Sequence, residues 1–483
     1  MDKKTGVIIG AGPAGLTAAW ELTKANVEVV VFEKYSRVGG IARTEEYKGY
    51  RFDIGGHRFF TMVPEVEELW HEWMQEEFVI RPRKSRILYR GKFFDYPLRM
   101  FNALRGLGIL ESVRIVISYV IAQFFPYKKE ESFEHWVVNR FGKRLYEIFF
   151  KTYTEKVWGI KCTDIRAEWA AQRIKGLTLP AAIKNALFPP RGEVIKTLIK
   201  EFHYPVLGPG MMWEKVTDLV REEGGCVEME SEVVRIFRDE DRIHGVEVRN
   251  SDGLKYIEGT DFFSTMPLNE LIRRIEPAPP EEVIVAADGL RYRDFLTVVL
   301  ILDIVDVFDD NWVYIHSPNV KVGRIQNFKN WSADMVPDNS TTSLGLEYFC
   351  NEGDGLWNMT DTELLELGSI EIEQLGLAEK VNVLDGIVMR QQKAYPVYDT
   401  VYGPLLATVQ DWVAGLSNFH TIGRNGLHKY NNQDHSMLTA IMAVNNVLTG
   451  QTNDVWSVNT DRSYHEEVRI PRSGDDPVDI LEA

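Results

Sequence analysis

Three features predict an α/β protein: a doubly wound parallel-sheet domain interrupted by a helical insertion and an antiparallel β-sheet domain. First, an apolar run at residues 7–9 passes directly into Gly10-Ala11-Gly12-Pro13-Ala14-Gly15, a helical pattern to Lys24, and a second apolar run at 27–32 ending on Glu33. Second, residues 100–186 keep helical spacing, broken near Gly106, Pro126 and Gly142. Third, residues 269–411 hold a succession of apolar strand-like runs, at 295–305, 312–328, 343–348 and 381–395.

The opening stretch has the strand–turn–helix–strand context that a GxGxxG pattern needs. Gly10 permits the tight turn, Gly12 lets backbone approach a pyrophosphate, and Gly15 allows close helix–strand packing. The helix N-terminus adds unpaired N–H groups and a positive dipole. Glu33, eighteen residues past Gly15, is placed to accept from ribose hydroxyls. A plain tight turn before a helix would explain the glycines alone, but not the second strand and its terminal acid. A Rossmann-like dinucleotide domain is therefore expected.

The remaining elements follow in order. Residues 64–76 read as a helix whose Trp70 and Trp73 belong to a core, and 86–94 read as a hairpin turning at Arg90-Gly91. Arg81, Arg83, Lys84 and Arg86 form a basic cluster. Residues 202–210 read as a Pro- and Gly-rich loop, 211–223 as a helix, and 226–248 as hairpin strands. A strand at 419, a Gly-rich turn and a long helix close the fold, with Asp434 and Ser436 as candidate N-caps. The expected boundaries are 1–85, 201–268 and 412–458 for the discontinuous parallel-sheet domain, and 86–97 for a hairpin of the antiparallel sheet. The helical insertion takes 98–200, the antiparallel substrate-binding sheet 269–411, and a loosely ordered tail 459–483.

Composition narrows the function. With 55 Lys and Arg against 71 Asp and Glu, the formal charge of −16 argues against a nucleic-acid binder and against docking on anionic lipid. Cys162, Cys226 and Cys350 are too few and too separated for a disulfide framework, which suits a reducing cytoplasm. No metal spacing and no signal peptide are evident. The apolar stretch 115–125 is too short to span a bilayer and is expected to be a buried helix, with a membrane-surface helix as the alternative.

After Glu33, Arg37-Val38-Gly39-Gly40 and Asp53-Ile54-Gly55-Gly56-His57 bring four more glycines to one region. This continuation resembles the FAD-binding half of the amine oxidase, protoporphyrinogen oxidase and UDP-galactopyranose mutase group. The resemblance implies a Rossmann-like FAD-binding domain with FAD as cofactor. It would be held by Gly10, Gly12, Pro13, Ala14, Gly15, Glu33, Lys34, Gly39, Gly40, Ile41, Ala42, Gly55, Gly56, His57, Val234, Gly423, Arg424, Asn432, Gln433, Asp434 and Ser436.

Several separated segments resemble the UDP-galactopyranose mutase family more specifically. They are Gly55-Gly56-His57; Lys156-Val157-Trp158 with Arg173 beyond it; Trp312-Val313-Tyr314 with Arg324; Ala394-Tyr395-Pro396; and Arg424 and Tyr430 before Asn432-Gln433-Asp434-His435-Ser436. Their shared order implies a flavin-dependent isomerase interconverting pyranose and furanose forms of a nucleotide sugar. In such an enzyme N5 of reduced FAD acts as nucleophile on the anomeric carbon, which accounts for the lack of a Ser-His-Asp triad or carboxylate dyad. Arg173 and Arg324 would meet the diphosphate, with Trp158, Tyr314, Tyr395 and Tyr430 also binding substrate and His57 set against the flavin. The base stays open between UDP, GDP and dTDP, and NAD(P)H is a possible electron donor. An FAD-dependent oxidase or desaturase of the amine oxidase or protoporphyrinogen oxidase type is the alternative, and a non-catalytic FAD-stabilised binding protein a third.

Overall fold

The computed structural model describes residues 4–98, 100–167, 197–198, 200–459 and 467–468. The chain divides into two compact units. The first comprises Met1–Ile80, His203–Asp309 and Arg324–Asp461; the second takes Arg81–Phe202, Asp310–Gly323 and Arg462–Ala483.

The first unit is built on a five-stranded parallel sheet in the order Cys226–Glu228, Glu28–Phe32, Thr5–Ile9, Asp261–Ser264 and Phe419–Thr421. Its inner strands are continuous apolar runs because helices cover them on one side and a second sheet on the other. The helices Pro13–Lys24 and Gln433–Thr449 pack together on one face around Leu16, Ala19, Met437 and Ala440. On the other side, Val7, Ile9 and Phe262 join a core with Ile236, Val246 and Val248 of an antiparallel meander, Glu232–Asp239, Arg242–Asn250 and Gly253–Glu258. Trp70 and Trp73 are core residues, as expected.

A long antiparallel layer completes this unit. Tyr292–Leu302 lies between Val383–Pro396 and Thr342–Cys350, and the latter pairs in turn with Arg324–Asn327. Two expectations need correction here. Residues 226–228 are a parallel strand beside Glu28–Phe32, not part of the hairpin, because Val227 fills the same core as the first helix. Residues 201–205 form a strand, where composition suggested only a loop; Phe202 and Tyr204 alternate inward.

In the second unit Ser85–Tyr89 pairs antiparallel with Lys92–Asp95 and parallel with Trp312–Ile315. Helices follow at Met100–Leu107, Ile109–Phe124, Phe133–Phe141 and Thr152–Trp158. The apolar segment expected to be a buried helix is helical but not buried. In Ile109–Phe124 only Ile115 and Ala122 are buried, whereas Ile109 is 84% exposed and Phe124 77%. One face packs on Phe133–Phe141 and its neighbours, the N-terminal half also meets Met100–Leu107, and much of the rest of the helix surface is exposed.

His428 in the first unit is fully buried, edge-on to Tyr292 at 4.7 Å between ring centroids. Burial lowers its pKa to about 4. An imidazole whose folded pKa lies below the unfolded value of about 6.5 takes up its proton first in the unfolded chain. Its contribution to stability is therefore complete above pH 6.5 and is lost as pH falls toward 4. His428→Asn, which suits the positive φ of 47°, should remove this slope. Urea unfolding of wild type between pH 6.5 and 5 should lose about 1 kcal/mol per pH unit more than the variant.

Candidate functional site

The glycine turn is shaped by contacts that admit no side chain. A Cβ on Gly10, whose φ is +100°, would lie 2.1 Å from Thr265 Oγ1, and one on Gly15 would lie 1.9 Å from the Gly10 carbonyl oxygen. Gly12 approaches Gly40 backbone to backbone, with Gly40 Cα 3.8 Å from the position a Gly12 Cβ would take. Gly39 N donates to the Ala11 carbonyl at 2.8 Å, which fastens the Gly39–Gly40 loop onto the turn. Gly423 abuts Ala14, 2.9 Å from a would-be Cβ to the Ala14 methyl. Backbone from three separate segments thus converges on the N-terminus of Pro13–Lys24, where the first-turn N–H groups suit a phosphate.

Glu33 is buried and accepts from Ala11 N at 2.8 Å and Tyr35 N at 3.0 Å. Burial raises its pKa, and these two backbone donors oppose the rise. Its carboxylate therefore braces the turn, one oxygen accepting from each of these backbone groups. Ser231 N donates to the Glu33 carbonyl, and just beyond it Val234 occupies an irregularity in the strand Glu232–Asp239. At the last helix the N-cap is Asn432, not Asp434 or Ser436, because the helix begins at Gln433; His435 Nδ1 accepts from Asn432 N at 3.3 Å. Gln433 Oε1 accepts from Trp213 Nε1 at 2.8 Å, while its Nε2 is buried without a partner. Glycine backbone packed on a helix N-terminus and an orphaned amide donor at a second one fit a large dinucleotide.

The polar cluster follows from strand register. Arg324 stands directly opposite Glu347, so their side chains share one face of the sheet. Arg324 Nε donates to Glu347 Oε2, and Gln326 Nε2 donates to Oε1 at 2.9 Å. Glu347 is fully buried; desolvation pushes its pKa up, and Arg324 and Gln326 pull it back. Gly55 lies beside the Arg324 guanidinium and the His57 imidazole: its Cβ position is 3.8 Å from Arg324 Nη2 and 3.9 Å from His57 Nε2. His57 Nε2 is 2.9 Å from the Ile54 carbonyl. Desolvation, with Arg424 and Arg324 nearby, lowers the His57 pKa to about 4, so the ring is neutral at neutral pH.

Tyr395 and Tyr430 stack at 5.5 Å between centroids, 17° from parallel. Arg424 sits over both rings, at 4.2 Å from Tyr430 and 5.1 Å from Tyr395. It also donates to the carbonyls of Ala394 at 2.6 Å and Asn431 at 3.0 Å. Tyr395 reaches this place through a shift of register after Gln391, where Lys393 has φ +51° and its N–H donates to Asp294 at 2.7 Å. Burial, then Tyr430, pushes the Tyr395 phenol above its ordinary range, so it remains a donor. Arg43 Nη1 links the loop to this strand, bonding the Gly40 carbonyl at 2.8 Å and Gln391 at 2.9 Å.

The first unit therefore brings together His57, Arg324, Arg424, Tyr395 and Tyr430 beside the glycine turn. Trp158 and Tyr314 belong to the second unit. Trp158 is buried at the end of Thr152–Trp158, and Tyr314 lies among Tyr96, Tyr153 and Trp312. Lys156 is a clamp on the loop after Trp312–Ile315, donating to the carbonyls of Ser317 at 2.8 Å and Val322 at 3.0 Å. Arg173 lies outside the described residues. Sequence reasoning missed Glu347 and Gln326, although a lone acid in the apolar run 343–350 was a signal.

Arg324→Ala would strand the buried Glu347 carboxylate and should cost about 3 kcal/mol of stability. Combining it with Glu347→Gln should recover about half of that, a coupling readable by denaturant unfolding of the four proteins of the cycle.

Comparison with known proteins agrees with this architecture. The family model described as NAD(P)-binding Rossmann-like domain matches residues 8–73. A 1-hydroxycarotenoid 3,4-desaturase of Flavobacterium sp. (strain P99-3) is 46% identical over 121 residues, which is 24% of this chain and 25% of that protein. A probable UDP-galactopyranose mutase of Klebsiella pneumoniae is 24% identical over 177 residues, 35% of this chain and 44% of that one. The matched stretches thus span less than half of either relative. A crystal structure of reduced UDP-galactopyranose mutase superposes with TM-score 0.82 at 22% identity, covering 94% of this chain and 98% of that one. The chain has the Rossmann-like, mixed α/β fold of UDP-galactopyranose mutase.

Proposed function

We propose that the protein is a FAD-dependent nucleotide-sugar mutase that interconverts pyranose and furanose forms. The observation that carries this reading is the cluster itself: a planar cation anchored by a buried carboxylate, two stacked phenols and a neutral imidazole, beside a dinucleotide-type turn. Bound FAD, in its reduced form, would supply the nucleophile for the anomeric carbon.

The chain's own residues account for the rest. Arg324, held at Nε by Glu347, offers a guanidinium suited to a diphosphate, whose oxygens accept paired hydrogen bonds. Tyr395 and Tyr430 add phenol donors, and Arg424 over their rings supplies positive potential while fixed by backbone carbonyls. These groups favour the diphosphate as charge develops on it, so they lower the barrier rather than merely tighten binding. His57 stays neutral and contributes hydrogen bonding, not charge. The anomeric C–O bond to the diphosphate breaks and is later remade at the same carbon. In between, the ring C–O bond breaks and a different hydroxyl of the same sugar closes the ring. Its proton passes to the released oxygen, so neither mass nor redox state changes.

An oxidase or desaturase is the second reading, favoured by the likeness to the carotenoid desaturase over 121 residues. A cation at the site disfavours an amine substrate but not an apolar one. The two separate in one assay. Protein reduced with dithionite under anaerobic conditions is incubated with UDP-, GDP- and dTDP-hexoses, and products are resolved by chromatography. An isomer of unchanged mass, formed only with reduced protein, is expected. Arg324→Lys, which keeps the charge on Glu347 paired, should lower kcat about a hundredfold with flavin retained. Oxygen uptake with an apolar or amine substrate, and no isomer from any nucleotide sugar, would establish the second reading.

A further inference from the structure

The helix Ile109–Phe124 exposes a continuous apolar stripe: Ile109, Val113, Val116, Ile117, Val120 and Phe124 recur at helical spacing, each at least 44% exposed. Leu110 and Phe125 widen it at its ends. Against the preceding helix, Met100–Leu107, it forms an open groove of about 520 Å3 lined by Leu104, Val113 and Ile117, with Arg105 in the lining. A contiguous exposed surface of this kind marks a partner or a membrane.

Charge decides between them. The chain as a whole carries −16, but residues 81–167 contain eighteen Lys and Arg against eight Asp and Glu, a local +10. The helix itself bears one acid, Glu111, and that is paired with Arg144 and Arg114. Exposed Lys128 and Lys129 follow the helix, and the next acid, Glu130, is paired with Arg140 at 2.7 Å. A second copy docking through this face would set two basic segments against each other. An anionic bilayer would instead neutralise them while accepting the apolar stripe at the boundary between headgroups and acyl chains.

We propose that this helix is a peripheral docking surface for a bilayer containing anionic lipid. It would lie in the plane of the interface, with Arg105, Lys128 and Lys129 at the headgroups. Among the described residues no helix is long and apolar enough to cross a membrane, so docking is on the surface. The inference is independent of the proposed reaction.

Full-length protein sedimented with vesicles of phosphatidylcholine alone, or mixed with phosphatidylglycerol, tests it. Pelleting should rise with the phosphatidylglycerol fraction and fall as NaCl is added. Val116→Glu/Ile117→Glu and Lys128→Glu/Lys129→Glu should each weaken partitioning about tenfold or more. All four positions are exposed, so cooperative unfolding should match wild type. Three results would overturn the proposal: no pelleting of wild type with phosphatidylglycerol vesicles, pelleting unchanged by both pairs, or a dimer that Val116→Glu/Ile117→Glu converts to monomer without any vesicle binding. The last would assign the stripe to a second copy.

Discussion

A buried carboxylate facing a guanidinium across two strands organises the candidate site. Glu347 has no exposed surface, and an ionised carboxylate there is tolerable only with full compensation. Arg324 and Gln326 provide it from the neighbouring strand. The pairing also holds the guanidinium on one face of the sheet beside Gly55, where a long flexible side chain would otherwise sample many rotamers. A surface arginine of equal charge would lose that ordering on each encounter with ligand. The buried partner converts a mobile cation into a preorganised one.

The remaining groups depend on that arrangement in sequence. Arg324 and Arg424 together disfavour a protonated His57, so the imidazole is held neutral by its cationic neighbours as well as by burial. Arg424 in turn is fixed by three backbone-directed hydrogen bonds and by two aromatic faces. The phenols owe their position to the displaced register near Lys393, which Asp294 secures by accepting from its N–H. Arg424 and Tyr395 thus have their positions set by backbone, and Arg324 by a buried side chain.

How much of this was legible in the sequence varied with the range of the interaction. The glycine turn could be read because strand, turn, helix and second strand are contiguous, and each glycine answers to a local clash. The Arg324–Glu347 pair could not, since it requires the register of two strands whose connection, residues 328–341, is an irregular turn with short helical pieces and not a tight hairpin of fixed geometry. The segment 115–125 was misread because hydropathy records what a residue prefers, not whether the fold supplies a partner for it. Net charge is likewise a sum: −16 over the whole chain conceals a basic stretch of nearly ninety residues. Asn432 was passed over as the cap because Asp434 and Ser436 are equally good cap types, and only the helix start distinguishes them.

Gly423 and Arg424 are consecutive. The first packs on Ala14 at the dinucleotide turn, and the second carries the stacked tyrosines. Gly423 N also donates to Thr439 Oγ1 at 2.9 Å, so one peptide ties the glycine turn, the last helix and the tyrosine pair together. A substitution that shifts this peptide would therefore disturb the turn and the phenols at once.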